Sequence, residues 1–225
     1  MRVLEIAASL RIGGAEKIAR DIGFYLASDF YQIDYVVFGD EIGEYESELI
    51  KRGCNVYHLS QPSSGYINYL KELYRLIKGN GYNVVHAHTM FNSGWAMLIA
   101  KMCGVPTRIS HSHSVDAQPG KSRIQRLYEK VMQLIIVNLS THYVGCGIKA
   151  GETLFGKTRY NKKGITILNG IDTKKFAYSE INREEIRKKL EITDNFVIGH
   201  VGHLAEVKNQ SFWINLMPEI LKKKK

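Results

Sequence analysis

The sequence predicts an α/β fold with a doubly wound parallel sheet, because two hydrophobic patterns alternate along its 225 residues. Short β-branched apolar runs, typical of buried parallel strands, recur through the chain. Segments with helical spacing of apolar residues lie between these runs. Strands separated by single helices connect through right-handed crossovers and not through hairpins, so they form a parallel sheet that helices cover on both faces.

The predicted elements follow one another in a regular order. Strands are expected over 3–8, 33–38, 56–59, 84–87, 107–110, 141–146 and 165–168. Helices are expected over 15–27, 44–51, 66–77, 93–102, 122–137 and 149–155. Ligands of such sheets bind beyond the carboxyl ends of the strands. Residues that directly follow a strand are therefore the first functional candidates.

A second domain is predicted to begin near the end of the chain. The runs 164–172 and 196–210 each start as an apolar strand and pass into a glycine-containing loop. The segment between them is rich in Lys, Arg and Glu and has little to bury. We therefore predict a first domain over 1–172, a connector over 173–194, and over 195–225 the first strand and helix of a truncated second α/β domain.

The net charge of +9 predicts an anionic partner. Phosphorylated ligands, anionic lipid surfaces and nucleic acid all fit this charge. The three cysteines lie far apart without a C-x-x-C pair, which indicates a reducing compartment and argues against a thiolate zinc site. No apolar run reaches the roughly 20 residues of a membrane span. Glu5 interrupts the apolar start of the chain, which favours a buried strand over a signal peptide.

The first loop contains a glycine pair, Gly13 and Gly14, just before a predicted helix. It is neither the dinucleotide-binding G-x-G-x-x-G sequence nor a G-x-x-x-x-G-K-[ST] phosphate loop. Free N–H groups at a helix N-terminus favour an anion, and glycines admit a closely packed ligand. The alternative is a plain strand-to-helix turn that requires positive φ.

Two H-x-H pairs end consecutive predicted strands. His86 and His88 form the first pair, and His111 and His113 form the second. Alternate residues of a strand share a face, so each pair has the spacing of a metal chelate. The absence of an accompanying Asp/Glu cluster disfavours a metal. The alternatives are an acid/base or hydrogen-bonding imidazole in a cleft, and histidines that are bonded only to neighbouring loops.

The helix predicted over 122–137 is both apolar and basic. Its helically spaced apolar residues are Ile124, Leu127, Tyr128, Val131, Leu134 and Ile135. Its other face carries Arg123, Arg126 and Lys130, with Lys121 ahead of the helix. This pattern fits a helix that packs its apolar stripe on the sheet, and it also fits a helix that lies on an anionic membrane surface.

Four segments in order resemble glycosyltransferase family 4, a group of retaining GT-B enzymes that build bacterial polysaccharides and lipopolysaccharides. They are GGAE at 13–16, VVHAH at 84–88, NGID at 169–172 followed by Phe176, and VGHL at 201–204 with a lysine at 208. The resemblance covers essentially the whole chain. It implies two Rossmann-like domains that face a cleft, an acceptor domain first and a donor domain second.

The resemblance implies roles for individual residues. Gly13 and Gly14 approach the phosphate and sugar of the donor. His111 matches the histidine beside the transferred sugar, with His113 as the second candidate because the repeat makes the alignment ambiguous. Lys208 matches the lysine that neutralises the departing diphosphate, where a preorganised cation stabilises developing charge.

The remaining family positions are a second donor-binding residue, cleft residues and a hinge. His203 stands where the family usually has arginine, and a histidine has fewer N–H donors and is partly neutral at pH 7. His88, His113 and Glu16 are expected on the acceptor side or elsewhere in the cleft. It assigns the hinge between domains to Asn169, Gly170 and Asp172.

The resemblance also implies the substrates. The donor is a nucleotide sugar, foremost a UDP-sugar, and neither a cofactor nor a metal is required. The acceptor is a glycan or a polyprenyl-diphosphate-linked glycan, which implies a cytoplasmic protein with peripheral contact to the inner membrane face. The family's Glu-x7-Glu element is expected beyond Lys225, so we predict that the chain alone is inactive.

Two other function classes compete with this interpretation. A metal-dependent hydrolase would use the H-x-H pairs, and stoichiometric zinc at all four histidines would favour it. A basic nucleic-acid-binding module would need a recognisable fold signature or an aromatic stacking platform, and the sequence offers neither. We therefore expect no nucleic-acid partner.

Overall fold

The structure, a computed structural model, describes residues 1–62, 65–115, 120–192, 195–202 and 204–222. The chain divides into two compact units, Met1–Ile171 and Asp172–Lys225. The first unit contains a sheet with helices on both sides, and the second contains helices within its described residues. The assignment of 1–172, 173–194 and 195–225 to acceptor domain, connector and donor domain stays a prediction.

A seven-stranded parallel sheet forms the first unit, in the order β3-β2-β1-β4-β5-β6-β7. The strands are β1 (Arg2–Ile6), β2 (Gln32–Phe38), β3 (Val56–Leu59), β4 (Val84–Ala87), β5 (Thr107–Ser112), β6 (His142–Gly145) and β7 (Gly164–Thr166). Each predicted strand of this unit is present, with its ends within two residues of the prediction. The chain winds outward from β1 to β3 and then from β4 to β7 in the opposite direction, which confirms the doubly wound α/β fold. The switch point lies between β1 and β4.

The helices of the first unit include one that the sequence pattern did not predict. They are α1 (Gly14–Leu26), α2 (Glu46–Lys51), α3 (Tyr66–Asn80), α4 (Ser93–Met102), α5 (Arg123–Leu139), α6 (Ile148–Phe155) and α7 (Lys157–Lys163). The unpredicted helix is α7, whose sequence is mostly polar. Its buried anchor is Tyr160, which stacks on Phe155 of α6 with 5.8 Å between ring centroids. That packing is a tertiary contact, so helical periodicity did not reveal it.

Hydrophobic residues are buried on both faces of the sheet. Leu4 and Ile6 of β1 point to one face, where Leu73 of α3 and Met97 of α4 are fully buried. The opposite face of the sheet packs on α1 and α2. Alternation along β1 puts Val3 and Glu5 on this second face. The side chain of Glu5 therefore lies on the same face as those of Tyr35 and His86, its register neighbours on β2 and β4.

Helix α5 packs on its neighbours with a face other than the apolar stripe named from the sequence. Its buried residues are Met132, Ile136 and Val137, whereas Ile124 is 80% exposed and Leu127 is 63% exposed. Of the two arrangements that the sequence left open, packing of this stripe on the sheet is therefore wrong, and contact of the stripe with a membrane surface stays a prediction. The helix begins with a capping box in which Ser122 and Gln125 bond each other's backbone N–H groups.

The second unit contains α8 (Glu180–Lys189), a short 3₁₀ helix (Glu206–Lys208) and α9 (Gln210–Lys222). The predicted strand over 196–198 is wrong, because these residues form no strand ladder in the described part of the chain. A strand forms only when its backbone hydrogen-bonds to a neighbouring strand. Among the described residues after Asp172, no segment forms a strand with which 196–198 could pair. Helix α8 lies in the predicted connector, where Ser179 caps it by accepting from the N–H of Asn182. Among the described residues, no helix has the length and apolar character that a bilayer crossing requires.

Candidate functional site

The register of the central strands collects four histidines and one glutamate on one face of the sheet. Glu5 of β1 lies directly opposite His86 of β4. His86 in turn lies opposite Ile109 of β5, two residues before His111. Because alternate residues share a face, the set continues past the strand ends. We call it the histidine cluster, and its members are Glu5, His86, His88, His111 and His113.

Hydrogen bonds connect most of the histidine cluster to one carboxylate. The Nε2 atom of His88 lies 2.7 Å from Oε2 of Glu5, and Nδ1 of His86 lies 3.1 Å from the same oxygen. The other ring nitrogen of His88, Nδ1, lies 2.7 Å from Nε2 of His113. Glu5 is 1% exposed, so this chain of bonds starts in the interior and runs toward the carboxyl edge of the sheet.

Several ring nitrogens of the histidine cluster are buried without a hydrogen-bond partner. Five buried side-chain nitrogens of the described residues have none, and four belong to the cluster: Nε2 of His86, Nδ1 and Nε2 of His111, and Nδ1 of His113. Buried polar atoms are normally bonded, and exceptions concentrate where a ligand, ion or water completes the site. His111 is 3% exposed and has both nitrogens in this condition.

Burial and mutual repulsion lower the pKa values of three of the histidines. Burial, followed by the charge of His86, lowers the pKa of His88 to about 4. Burial, followed by the charge of His88, lowers the pKa of His113 to about 3. The pKa of His111 is lowered as well, first by burial and then by His113. All three rings are neutral at pH 7.

Glu5 behaves in the opposite way. Burial is the largest influence and by itself raises the pKa of the carboxyl group, because it penalises the charged form. The charge of His86 and the hydrogen bonds from His86 and His88 outweigh this effect together and lower the pKa to about 2. At pH 7 the cluster therefore contains an ionised carboxylate and the neutral rings of His88, His111 and His113.

The geometry of the cluster fits hydrogen bonding better than metal chelation. Ring nitrogens of His86, His88 and His111 lie within 4.8 Å of one another. A tetrahedral zinc ion needs its nitrogen donors only about 3.4 Å apart. The rings of His86 and His111 are parallel within 6° and stacked at 5.4 Å, and both nitrogens of His88 are already bonded. Chelation would require these rings to turn and His88 to give up a partner.

A pocket of about 530 Å³ opens beside His88 at the carboxyl edge of the sheet. It is lined by Ala8, Phe38, Gln61, Pro62, Tyr66, His88, Thr89, Met90 and Asn92. Aromatic rings and amides in one wall suit a carbohydrate, which offers apolar ring faces and hydroxyls. The hydroxyl of Tyr128 on α5 donates to Oδ1 of Asn92 at 2.6 Å and so fixes part of this wall.

Met90 adopts a left-handed backbone conformation in this pocket, with φ of +48°. Such values are unfavourable for a side chain with Cβ, and they cluster at functional sites. The residue lies in a 3₁₀ turn (Met90–Asn92) between β4 and α4. The turn directs the chain away from the strand end and leaves His88 beside the pocket.

The glycine pair lies at the N-terminus of α1, as predicted, but without positive φ. Gly13 is the extended N-cap residue, with φ of −161°, and Gly14 is the first helical residue. The interpretation as a turn that needs positive φ is therefore wrong. A Cβ on Gly13 would collide with the carboxylate of Glu16, while a Cβ on Gly14 would meet open space. Gly13 thus lets Glu16 fold back over the helix N-terminus, and Gly14 leaves the surface open.

The other predicted site residues lie outside the histidine cluster. Asn169 and Gly170 are exposed, and the carbonyl of Gly170 accepts from Nζ of Lys17 at 3.5 Å. Oδ1 of Asp172 accepts from the N–H groups of Lys174 and Lys175 at 3.0 and 3.1 Å. These bonds form a turn, and the hinge role stays a prediction.

The two donor-binding candidates belong to the second unit. Lys208 is exposed at the end of the short 3₁₀ helix Glu206–Lys208, and its side chain lies over Gly202. His203 lies outside the described residues. Their roles toward the diphosphate therefore stay predictions.

Sequence reasoning missed Glu5 as a site residue. It treated this residue only as an interruption of the apolar N-terminus. The available signal was a charged residue in the middle of a strand that must be buried on both faces, because such residues are almost never buried without partners. Its partner His86 is 81 residues away in sequence, so only the strand register identifies the pair.

Comparisons with known proteins identify the fold and a family. Residues 12–175 match the family model described as Glycosyltransferase Family 4. EpsF of Bacillus subtilis (strain 168) is 31% identical over 221 residues, which are 96% of this chain and 57% of EpsF. CapH of Staphylococcus aureus, a capsular polysaccharide biosynthesis glycosyltransferase, is 28% identical over 224 residues, which are 99% of this chain and 59% of CapH. The chain thus spans less than three fifths of either relative.

Two further similarities concern ligands of other proteins. An Escherichia coli protein named UDP-Gal:alpha-D-GlcNAc-diphosphoundecaprenol alpha-1,3-galactosyltransferase is 24% identical over 147 residues, or 64% of this chain and 38% of that protein. The solved structure of Anabaena HepE in complex with UDP and glucose matches with a TM-score of 0.80 at 18% identity. The match covers 97% of this chain and 58% of HepE, and at this identity it shows a common fold.

Proposed function

The chain belongs to glycosyltransferase family 4, and from this premise we propose that its gene product transfers a sugar from a nucleotide sugar to a glycan acceptor. The chain supplies the acceptor side of the enzyme. One observation carries this assignment: the histidine cluster, with its unpartnered ring nitrogens, lies at the switch point of a doubly wound sheet beside an open pocket. Ligands of such sheets bind at this point.

The chemistry that we propose places the transferred sugar against the histidine cluster. Neutral imidazoles accept hydrogen bonds from sugar hydroxyls, so His111 or His113 positions the sugar during transfer. The departing diphosphate develops negative charge, and Lys208 together with His203 neutralises it. Transfer proceeds with retention of the anomeric configuration. Neither a metal nor a cofactor takes part in this proposal.

The donor that we propose is a UDP-sugar. Two similarities support it: HepE was solved with UDP and glucose, and the E. coli relative is named for UDP-Gal. The proposed process is the synthesis of a capsular or other surface polysaccharide, which CapH's name supports. The hydrolase alternative has no support among the family and relatives found.

We propose a lipid-linked acceptor held at an anionic membrane surface by α5. Four apolar side chains of this helix face solvent, namely Ile124, Leu127, Val131 and Leu134 at 80%, 63%, 43% and 55% exposure. Arg123, Arg126 and Lys130 on the same helix are also exposed. An apolar stripe beside basic residues suits insertion at the headgroup level of an anionic bilayer. Supply of the nucleotide sugar places this contact on the cytoplasmic face.

The same helix connects the proposed membrane surface to the pocket. Tyr128 of α5 accepts from Nε1 of Trp95 at 3.1 Å and donates to Asn92 in the pocket wall. A glycan carried on a membrane lipid would thus meet the pocket while α5 rests on the bilayer. The diphosphoundecaprenol in the name of the E. coli relative supports an acceptor of this class.

The test of transfer uses the complete product of the gene that encodes this chain. It is incubated with labelled UDP-glucose, UDP-galactose or UDP-N-acetylglucosamine and with membranes that carry lipid-linked glycans. We expect label in the lipid fraction from one donor, with loss of at least tenfold in His111→Ala or His113→Ala. NMR of the product tests retention. Label that appears only as free sugar would contradict transfer and indicate hydrolysis.

The 225-residue chain by itself is expected to transfer no sugar, because it spans 57% of EpsF and 59% of CapH. The same assay, run on the chain alone, tests this expectation. Transfer at a rate comparable to that of the complete gene product would contradict it. In that case the residues of this chain would suffice for both donor and acceptor binding.

The membrane contact is tested separately by sedimentation with vesicles. The chain is mixed with vesicles of phosphatidylglycerol or of phosphatidylcholine. We expect the chain to bind the anionic vesicles. Ile124→Ser should weaken this binding severalfold, because the variant lacks an apolar side chain that would insert at the bilayer surface. Ile42→Ser is the matched control, since Ile42 is 81% exposed and lies outside α5. Equal loss in both variants would contradict a specific role of α5.

A further inference from the structure

Glu5 is the fixed centre of the histidine cluster, and we propose that it is a positioning residue that sets the tautomers of His88 and His113. Through these tautomers it makes Nδ1 of His113 a hydrogen-bond acceptor. The inference rests on the proposed function only in naming a sugar as the ligand.

The first step concerns His88. An ionised carboxylate only accepts hydrogen bonds, so Nε2 of His88, which is 2.7 Å from Glu5, must carry the proton. A neutral imidazole has one N–H group, and Nδ1 of His88 is therefore an acceptor. Its partner at 2.7 Å is Nε2 of His113, which must then be the donor. His113 is left with an unprotonated Nδ1.

The second step concerns His86. Its Nδ1 lies 3.3 Å from Oε1 and 3.1 Å from Oε2 of Glu5, so this N–H group also donates to the carboxylate. The bonds that run from Glu5 through His88 leave Nδ1 of His113 as an acceptor, and this atom is buried without a hydrogen-bond partner among the described residues. Glu5 thus fixes the proton position in His88 and, through His88, in His113.

The position of Glu5 makes this arrangement rigid. It lies on β1 between β2 and β4, where Tyr35 and His86 are its register neighbours. Its side chain is 1% exposed, so solvent does not compete for its oxygens. A positioning residue of this kind fixes orientation and proton location without touching the reacting atoms.

The consequence is a preference for one class of ligand. Unprotonated nitrogens beside a carboxylate complement a group that donates a hydrogen bond, such as a sugar hydroxyl. They repel a phosphate, which only accepts at neutral pH. The histidine cluster therefore receives the sugar portion of a substrate, and the diphosphate has to bind elsewhere.

The test is histidine NMR on the 225-residue chain with nitrogen-15 in the rings. At pH 7 the long-range spectrum shows which nitrogen of each ring carries the proton. We expect single tautomers in His88 and His113, each with the proton on Nε2, and an N–H group at Nδ1 of His86. An imidazolium at His88, or the proton on Nδ1 of His113, would overturn the proposal, and this reading needs no variant.

Variants then separate positioning from a merely structural role. His88→Phe cuts the link between Glu5 and His113, so His113 becomes a tautomer mixture while His86 keeps its proton on Nδ1. His86→Phe leaves both His88 and His113 unchanged. A tautomer mixture at His113 in both variants would show that general loosening, and not the bond from Glu5, governs the ring.

The change Glu5→Gln is compared with Glu46→Gln. Glu46 is 4% exposed and also bonds a histidine, with its Oε2 3.0 Å from Nε2 of His58. We expect Glu5→Gln to produce tautomer mixtures in the cluster and Glu46→Gln to change only His58. Rescue of the single tautomers in the cluster by Glu5→Asp would support a carboxylate requirement. Unchanged tautomers in Glu5→Gln would overturn the proposal.

These outcomes are independent of the proposed function. Tautomers are measured without substrate, so their failure leaves sugar transfer untouched. Conversely, an absence of transfer by the gene product would remove the sugar as the named ligand and leave the tautomer assignment in place.

Discussion

Two buried carboxylates, Glu5 and Asp34, lie on adjacent strands of the same sheet and have different environments. Asp34 is 0% exposed and accepts from Arg2 Nη2 at 2.9 Å, from the hydroxyl of Tyr82 at 2.9 Å and from Nδ2 of Asn55 at 2.8 Å. It lies near the start of β2, toward the amino edge of the sheet. Its partners include a permanent cation, and its oxygens are saturated.

Glu5 lies near the end of β1, toward the carboxyl edge, and its hydrogen-bond partners are the rings of His86 and His88. The histidine cluster contains four of the five unpartnered buried nitrogens of the described residues, on His86, His111 and His113, whereas the surroundings of Asp34 include one, Nε of Arg2. The buried carboxylate at the amino edge thus has all its hydrogen bonds, whereas several buried nitrogens at the carboxyl edge have none. Incomplete bonding costs stability and is retained where a ligand completes it.

The largest expected effect of the histidine cluster is on the free energy of unfolding at acidic pH. Unfolded histidines bind protons below a pKa of about 6.5, whereas His88 and His113 stay neutral until about pH 4 and 3. The unfolded state then binds more protons, so the free energy of unfolding falls with falling pH, by about 1.4 kcal/mol per pH unit for each such histidine. Glu5 adds to this loss below about pH 4.5, its ordinary pKa, down to about 2.

Urea denaturation at pH 7, 6 and 5 measures this slope. His58 acts in the opposite direction: burial lowers its pKa, but the Gly39 carbonyl and Glu46 together raise it. Its contribution is complete below about pH 6.5 and is lost as pH rises through its folded pKa. His58→Gln should therefore steepen the acid loss. A stability that stays flat between pH 7 and 5 would contradict neutral burial of the cluster.

Asp34→Ala is expected to cost about 3 kcal/mol of unfolding free energy, since it leaves Arg2 and Tyr82 without their buried acceptor. Glu5→Gln should cost less unfolding free energy, because glutamine keeps an oxygen that accepts from the rings of His86 and His88. Urea midpoints of the two variants at pH 7 provide the measurement. A larger loss of unfolding free energy in Glu5→Gln than in Asp34→Ala would contradict the proposal that the carboxylate at the amino edge contributes more to stability.

His111→Leu is expected to stabilise the chain by about 1 kcal/mol, because it removes two unpartnered buried nitrogens at similar volume. In the complete gene product the same change should abolish sugar transfer. Tyr82→Phe is the matched change at the amino edge and should destabilise by about 1 kcal/mol. If His111→Leu instead destabilised the chain by about 1 kcal/mol, as expected for Tyr82→Phe, the ring nitrogens of His111 would have hydrogen-bond partners in solution.

Met90→Gly is expected to have the smallest effect, under about 1 kcal/mol in either direction. Glycine relieves the left-handed backbone at φ of +48°, but the packing of the Met90 side chain in the pocket wall is lost. Thermal unfolding of the variant gives the net value. A loss of several kcal/mol would mean that Met90 is a core residue and not part of an open pocket.

The sheet was predictable because each buried strand carries its own apolar run. The β-branched runs and the helices between them predicted all seven strands of the first unit and their parallel pairing. Helices α7 and α8 were not predicted, since α7 depends on the tertiary packing of Tyr160 and α8 is an exposed polar helix. The strand over 196–198 was wrong because an apolar run does not reveal whether a neighbouring strand exists.

The candidate site was predictable only in part. The H-x-H pairs after two strands indicated the carboxyl edge, because parallel strands bring their ends together. The role of Glu5 was not predictable from local sequence, because it depends on the register that places β1 beside β4. The sequence left open whether the apolar stripe of α5 is buried or exposed, since periodicity gives the faces of a helix but not which face meets the sheet.

The most direct test of the central claim is a crystal structure of the complete gene product with a UDP-sugar that it transfers. We predict a sugar hydroxyl about 3 Å from an unprotonated nitrogen of His111 or His113. We also predict an unchanged set of bonds around Asp34. A diphosphate bound at the histidine cluster, or a sugar bound away from it with the ring nitrogens still unpartnered, would contradict the account.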